Sequence, residues 1–108
     1  MAYGNALAVL ADPTRRAVFE RLRQGPASVG DVAAALPVSR PAVSQHLKAL
    51  KLAGLVNDRP EGTRRVYSID PDGLRELRRW LDQFWDQALE AFRREAERPV
   101  PTKRRKRP

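Results

Sequence analysis

Three features of the sequence predict a mostly helical domain with one small β-hairpin. Two short helical segments, "SVGDVAAAL" at residues 28–36 and "SRPAVSQHLKAL" at residues 39–50, lie about three residues apart, which is helix-turn-helix spacing. A segment rich in Val, Tyr and Ile around "RPEGT" follows them, and a long amphipathic helix comes last. The predicted fold is therefore a winged helix-turn-helix with the order α-α-α-α-β-β-α, dimeric through its first and last helices.

Helix-capping residues divide the first part of the chain. Residues 5–10 are predicted to form a short apolar helix. Asp12 can cap a second helix, Pro13 suits its first turn and Gly25 suits its end. Residues 26–27 then form a link to the next helix.

The two central helices also carry capping signals. Ser28 followed by Asp31 resembles a capping box, with Asp in place of the usual Glu, and opens a short helix. Ser39 can cap the next helix, which is expected over residues 39–53, and Gly54 ends it. The sequence therefore predicts a sharp break between the two helices of the helix-turn-helix.

The remaining chain is predicted to form a wing, a long helix and a tail. The hairpin of the wing covers residues 55–69, and the last helix starts after Asp70 and ends before Pro99. Residues 1–98 are expected to form one DNA-binding and dimerisation domain. The tail at residues 99–108, "PVPTKRRKRP", is basic and proline-rich and is expected to be disordered.

Composition restricts the classes of partner. The 108 residues suffice for one compact domain, and the formal net charge of +8 favours a polyanionic partner such as double-stranded DNA. The chain has no cysteine, which excludes disulfides and thiolate metal sites. No apolar run is long enough to span a membrane and no secretory signal is present, so the expected location is the cytoplasm, without membrane association.

The helix at residues 39–53 has one apolar face and one polar face suited to nucleic acid. Val43, Leu47 and Leu50 recur at helical spacing and are expected to be buried. Arg can bind guanine, Gln can bind adenine, and Ser can bind bases or phosphates, and no acidic residue lies nearby to repel phosphate. We expect the DNA-reading residues of this helix to be Ser39, Arg40, Pro41, Ser44, Gln45, His46 and Lys48. For His46, the one histidine, the expected role is packing or a phosphate contact.

The hairpin and the second helix supply further cations. An arginine-bearing hairpin tip can enter a neighbouring minor groove or bind the backbone, and the sequence does not separate these two roles. The expected wing contacts are Arg59, Thr63, Arg64 and Arg65. A backbone contact and plain solvation are equally favoured for the residues at the start of the second helix, Thr14, Arg15 and Arg16.

The last helix carries more apolar surface than one small domain can cover. Apolar residues repeat along it at spacings of three and four, and both tryptophans lie on it. The simplest account is a two-fold dimer, although an intramolecular core and an aromatic ligand pocket are alternatives. The expected interface residues are Leu7, Leu10, Leu77, Leu81, Phe84, Trp85, Ala88 and Phe92.

Three segments, "LADPTRRAVFERL", "GDVAAALPVSRPAVSQHLKALKLAGLV" and "GTRRVYSID", together resemble the ArsR/SmtB family of bacterial winged-helix regulators. The resemblance covers about residues 5–95. It implies a homodimeric regulator, in most members a repressor on a palindromic operator, with the recognition helix between Ser39 and Lys48 and Arg64 and Arg65 in the wing.

The metal-sensing patterns of that family are missing here. The stretch "VGDVAAAL" has no Cys-x-Cys, and "WLDQFWDQALEAF" has Asp82 and Asp86 but no histidine. Carboxylates alone make poor sites for zinc or copper. The chain therefore resembles the branch without metal sensing; no metal or cofactor is expected, and an unknown small-molecule effector remains open.

Other functions have less support in the sequence. Enzymatic activity is not expected, because the chain lacks a Gly-rich phosphate loop and any nucleophilic triad. The alternative function is sequence-independent nucleic-acid or nucleoid binding driven by the basic tail and wing, which strong salt dependence would mark. A winged helix used only for protein interaction is disfavoured by the acid-poor recognition face.

Overall fold

The computed structural model describes the backbone of residues 2–99 and the side chains of residues 6–99. Residues 100–108, most of the tail predicted to be disordered, lie outside the described residues. The α-helices are α1 (Ala2–Ala11), α2 (Pro13–Arg21), α3 (Val29–Ala35), α4 (Arg40–Leu52) and α5 (Pro71–Glu97), and the strands are β1 (Ala27–Ser28), β2 (Val56–Glu61) and β3 (Arg64–Ile69). The second helix ends at Arg21, earlier than predicted, and a short 3-10 helix over Leu22–Gln24 continues the chain to Gly25. The fold is the predicted winged helix-turn-helix, mostly helical with a small antiparallel sheet.

The predicted caps form as expected. The Asp12 carboxylate accepts hydrogen bonds from the backbone N–H groups of Thr14 and Arg15, at 2.9 and 3.0 Å. Ser28 and Asp31 exchange the two bonds of a capping box, each 3.1 Å long. Ser39 accepts from the backbone N–H of the third residue after it, at 3.3 Å. Such caps each stabilise a helix by about 1 kcal/mol, and here they fix where α2, α3 and α4 begin.

The chain divides into two compact units within α5. The first unit, Met1–Arg78, contains α1 to α4, the sheet and the beginning of α5. Its core is formed by apolar side chains from all these helices and the sheet, and Val43, Leu47 and Leu50 of α4 are fully buried as predicted. The second unit begins at Arg79 and contains the rest of α5, whose described side chains from Leu81 onward are all exposed.

The sheet has three strands in the order β1-β3-β2, one more than predicted. The hairpin pairs Val56 with Ile69 and Glu61 with Arg64, and Gly62 supports its tight turn with a φ of 65°. The prediction that residues 26–27 are only a link was wrong, because Ala27 pairs with Tyr67 of β3. A two-residue strand has no alternation to detect, and its partner lies 40 residues away in the chain.

Candidate nucleic-acid interface

The exposed face of α4 carries most of the residues predicted to read DNA. Ser39, Arg40 and Pro41 are exposed at its N-terminal end, and Ser44, Gln45 and Lys48 are exposed along the following turns. The opposite face is fixed in the core, so this polar face has one defined orientation on the domain. Because no acidic residue belongs to α4, nothing on the helix itself repels a phosphate backbone.

Arg40 and the turn of the wing line one cleft. The cleft has a volume of about 430 Å³ and is lined by the first turn of α3, Arg40, Thr63, Arg64 and Arg65. The guanidinium of Arg40 lies across Gly30, where a Cβ atom would be 2.7 Å from one of its nitrogens. The fold therefore brings together cations that the sequence places in two separate segments.

His46 differs from the other predicted contacts on α4. It is half-buried, and its Nδ1 accepts a hydrogen bond from Nε of Arg15 on α2, at 3.3 Å. The His46 side chain therefore connects α4 to α2. The contact is a packing role within the fold, and the alternative phosphate contact of His46 stays a prediction.

The two arginines at the start of α2 bind the end of α1. Nη1 of Arg15 donates to the backbone carbonyl of Val9, at 3.4 Å, and Nη1 of Arg16 donates to that of Leu10, at 2.8 Å. Cations are favourable at a helix C-terminus, where carbonyl groups lack partners within the helix. These bonds give both arginines a role within the fold, and Thr14 is exposed beside them.

The three arginines of the wing each lie near a carboxylate. Arg59 pairs with Glu61 at 3.2 Å, Arg64 lies 3.5 Å from Asp31 of α3, and Arg65 pairs with Asp58 at 3.2 Å. All three side chains remain about half exposed. The pairs of Arg59 and Arg64 have both partners exposed and are weak, so these two arginines stay available to phosphates.

Sequence reasoning missed Asp58. Its carboxylate binds Lys51 of α4 at 2.8 Å and Arg65 of β3 at 3.2 Å, while its side chain is only 9% exposed. The hydrogen bond from the Lys51 ammonium, with the charges of both cations, holds the pKa of Asp58 below its usual range against the opposing effect of burial. No local pattern could have indicated this role, because an aspartate in a strand next to a turn usually faces solvent.

Acid should destabilise the first unit through three aspartates. Backbone hydrogen bonds lower the pKa of Asp12 and of Asp31, and the Lys51 hydrogen bond lowers that of Asp58. A carboxyl group whose pKa is lower in the folded state stabilises the fold above its unfolded pKa, about 3.9, and loses that contribution as pH falls through the folded pKa.

We therefore expect the melting temperature to be level above about pH 5 and to fall steadily below about pH 4, with the decline smaller in Asp58→Asn. Thermal unfolding followed by circular dichroism from pH 2 to pH 7 measures this. Asp86→Asn, at an exposed position of α5, is the matched control and should keep the wild-type pH profile. A pH profile of Asp58→Asn equal to that of the wild type would show that Asp58 does not contribute to the loss of stability in acid.

The residues predicted to form a dimer interface divide into two groups. Leu10 and Leu77 are partly buried and pack against the core of their own unit. Leu7 is partly exposed, and the remaining residues lie exposed on α5, with Trp85 at 61% and Phe92 at 70%. The exposed residues of α5 recur at helical spacing and form one apolar stripe, defined as Leu81, Phe84, Trp85, Ala88, Leu89 and Phe92.

Two kinds of site are absent from the described part of the chain. No helix within residues 2–99 is long and apolar enough to cross a bilayer. Among the described side chains, no group of three or more histidines, cysteines and acidic residues is placed to bind a metal ion.

The helix-turn-helix has a buried core, its second helix presents an exposed face without acidic residues, and an arginine-bearing hairpin lies beside it. These features define a winged-helix DNA-binding protein. Comparison with known proteins agrees with this class. Residues 10–59 match the helix-turn-helix domain family. The HTH-type transcriptional regulator Rv2034 of Mycobacterium tuberculosis is 65% identical over 83 residues, 77% of this chain and 78% of the relative.

A second relative and two solved structures place the chain more narrowly. The transcriptional repressor SdpR of Bacillus subtilis is 32% identical over 74% of this chain and 89% of its own length. An ArsR-like transcriptional regulator from Rhodococcus is 32% identical with a TM-score of 0.75, covering 91% of this chain and 95% of that one.

The homodimeric winged helix-turn-helix DNA-binding domain of a possible ArsR-family regulator from Mycobacterium bovis is 31% identical with a TM-score of 0.65, covering 83% of each chain. The chain belongs to the ArsR/SmtB family of helix-turn-helix transcriptional regulators.

Proposed function

We propose that the protein is a homodimeric repressor that binds a palindromic operator and reads it with α4 and the wing. The observation that carries this proposal is the cleft that joins Arg40, at the start of α4, to Thr63, Arg64 and Arg65 at the wing. Asp31 also lines this cleft, but three arginines outnumber it, so the surface can follow a phosphate backbone from the major groove to the adjacent groove. As a DNA-binding transcriptional regulator, the protein acts in the cytoplasm.

Within this surface, α4 supplies the base contacts. In helix-turn-helix proteins the N-terminal part of the second helix enters the major groove. Ser44, Gln45 and Lys48 are exposed on consecutive turns of α4, and Gln45 has the amide geometry to bind adenine through two hydrogen bonds. Arg40 lies closer to the wing, where it can reach phosphate or a base at the groove edge.

The apolar stripe of α5 supports the dimer. Monomeric proteins rarely expose a contiguous patch of large apolar side chains, and a second copy of the chain offers an identical surface to cover it. A homodimeric relative shares the fold at 31% identity. A two-fold dimer would present its recognition helices to half-sites about one DNA turn apart, which is why a palindromic operator is proposed.

The test of the proposal is a double change, Arg40→Ala with Gln45→Ala. The wild type should prefer DNA from the protein's own upstream region over random DNA by about 10³-fold or more. The double change should remove most of that preference, because each bidentate base contact discriminates by about 1–3 kcal/mol. Fluorescence-anisotropy titrations across a salt series measure both affinities.

The matched control changes the same residue types outside the proposed surface. Gln83→Ala with Arg94→Ala alters two exposed residues on the side of α5 opposite the apolar stripe and should leave the preference unchanged. The wild type could instead bind both DNAs with equal affinity and with a steep salt dependence that the double change does not alter. That result would support sequence-independent nucleic-acid binding through the wing and tail.

A further inference from the structure

A shielded ion-pair cluster connects the recognition helix to the wing. The Asp58 carboxylate on β2 binds the ammonium of Lys51, in the last turn of α4, at 2.8 Å and the guanidinium of Arg65 on β3 at 3.2 Å. The cations are 52% and 53% exposed, while the aspartate is 9% exposed. The carboxylate therefore lies beneath two cations that come from different elements.

Strand pairing places these groups on one face of the hairpin. Asp58 is opposite Tyr67 and Pro60 is opposite Arg65, so Asp58 and Arg65 are diagonal neighbours on the same side. Lys51 reaches that side from α4. The cluster therefore connects this face of the wing to the C-terminal end of α4.

The base of the wing packs against the core through Val56, Tyr67 and Ile69, whereas residues 59–65 at its outer end are all exposed. At that outer end, Arg64 also lies 3.5 Å from Asp31 of α3. The wing is a two-residue turn on two six-residue strands, and the third strand contributes only two residues, which pair with Val66 and Tyr67 in the middle of β3. Two-stranded hairpins are marginally stable by themselves. A shielded carboxylate with two directional partners can set the angle of such a hairpin, because losing the carboxylate leaves two cations that repel each other.

We propose that Asp58 is a positioning residue that sets the wing at the angle where α4 and the wing contact one DNA duplex together. The inference rests on the proposed function and identifies a residue on which the DNA-sequence specificity of the protein depends. Asp58 itself would not touch DNA, since a carboxylate is repelled by phosphate. It acts through Lys51 and Arg65.

The experiment compares two variants that remove one negative charge from the same wing. Glu61 pairs with Arg59 near the tip and both are about half exposed, so Glu61→Gln changes charge without touching the cluster. Charge alone would make both variants bind all DNA more tightly. Positioning predicts a different result for Asp58→Asn, because its wing no longer meets the duplex at the correct angle.

We expect Asp58→Asn to lower the ratio of upstream-DNA to random-DNA affinity about tenfold, comparable to one mismatched base pair, while binding to random DNA stays equal or increases. Glu61→Gln should keep the wild-type ratio. The ratio is the chosen readout because a uniform charge effect cancels in it. A ratio for Asp58→Asn equal to that of Glu61→Gln would overturn the proposal.

A second variant covers the case in which Asp58→Asn folds poorly. Lys51→Gln removes the helix-side partner at a half-exposed position, and it should lower the same ratio. The double variant should lower the affinity ratio no more than the more damaging single change does, as expected for residues that act as one unit. An unchanged ratio in Lys51→Gln would contradict the inference, and a wild type without DNA preference would instead contradict the proposed function.

Discussion

Trp85→Glu should leave the winged helix folded and convert the protein into a monomer that has lost at least about a hundredfold in operator affinity. Trp85 is 61% exposed on α5, so the change removes no packing from the core of the first unit. In the proposed dimer the tryptophan would be covered by the partner, and a carboxylate there would be buried without a counter-charge, which is strongly unfavourable. Losing the dimer also loses the simultaneous binding of two half-sites.

Analytical ultracentrifugation and a titration with upstream DNA measure the two parts of this prediction. Gln83→Glu is the matched control, since it adds the same charge to the opposite side of α5. That variant should remain dimeric and keep its affinity. A dimeric Trp85→Glu, or a monomer with full operator affinity, would show that the apolar stripe is not the interface or that one subunit suffices.

Gly73→Ala should destabilise the first unit by about 2 kcal/mol or more, although alanine is a better helix former than glycine. A Cβ atom at Gly73, in the first turn of α5, would lie 1.7 Å from the carbonyl oxygen of Gly54. This obstacle is backbone and cannot rotate away. The two segments are also hydrogen-bonded, since the backbone N–H of Asp70 donates to the carbonyl of Leu55 at 2.9 Å.

Urea denaturation followed by circular dichroism measures the change in free energy of unfolding. Gly30→Ala is the matched control, because it is also a glycine-to-alanine change in a helix. Its Cβ would meet only the end of the flexible Arg40 side chain, so the stability should stay level or rise by up to about 1 kcal/mol. Equal stabilities for the two variants would show that α5 can shift away from Gly54 at little cost.

The local elements of this fold were predictable because their signals lie within a few residues of one another. The Asp12 cap, the Ser28–Asp31 capping box and the Ser39 cap were each predicted and each is formed. The buried face of α4 followed from helical spacing alone. The exception, β1, is too short to carry any pattern and exists only because β3 offers it backbone partners.

The exposure of the polar face of α4 was predictable from the sequence, whereas its connection to the wing was not. The polar face of α4 is exposed as expected, but its joining to the wing in one cleft depends on how two segments 23 residues apart are packed. Arg15 shows the difficulty for long side chains. The Arg15 side chain is long enough to contact solvent, a phosphate or the protein itself. In the structure it donates hydrogen bonds to His46 and to the carbonyl of Val9.

The sequence by itself determined the order of the α-helices and the hairpin, the starts of α2, α3 and α4, and the buried face of α4, since capping and periodicity are short-range properties of the chain. Only the tertiary structure decided which distant groups meet. The pairing of Asp58 with Lys51 and Arg65 and the approach of Gly73 to Gly54 depend on distances between elements, which no local pattern encodes. The physical reason is that a cap is satisfied within one turn, whereas an ion pair or a backbone approach forms only after packing has fixed both partners.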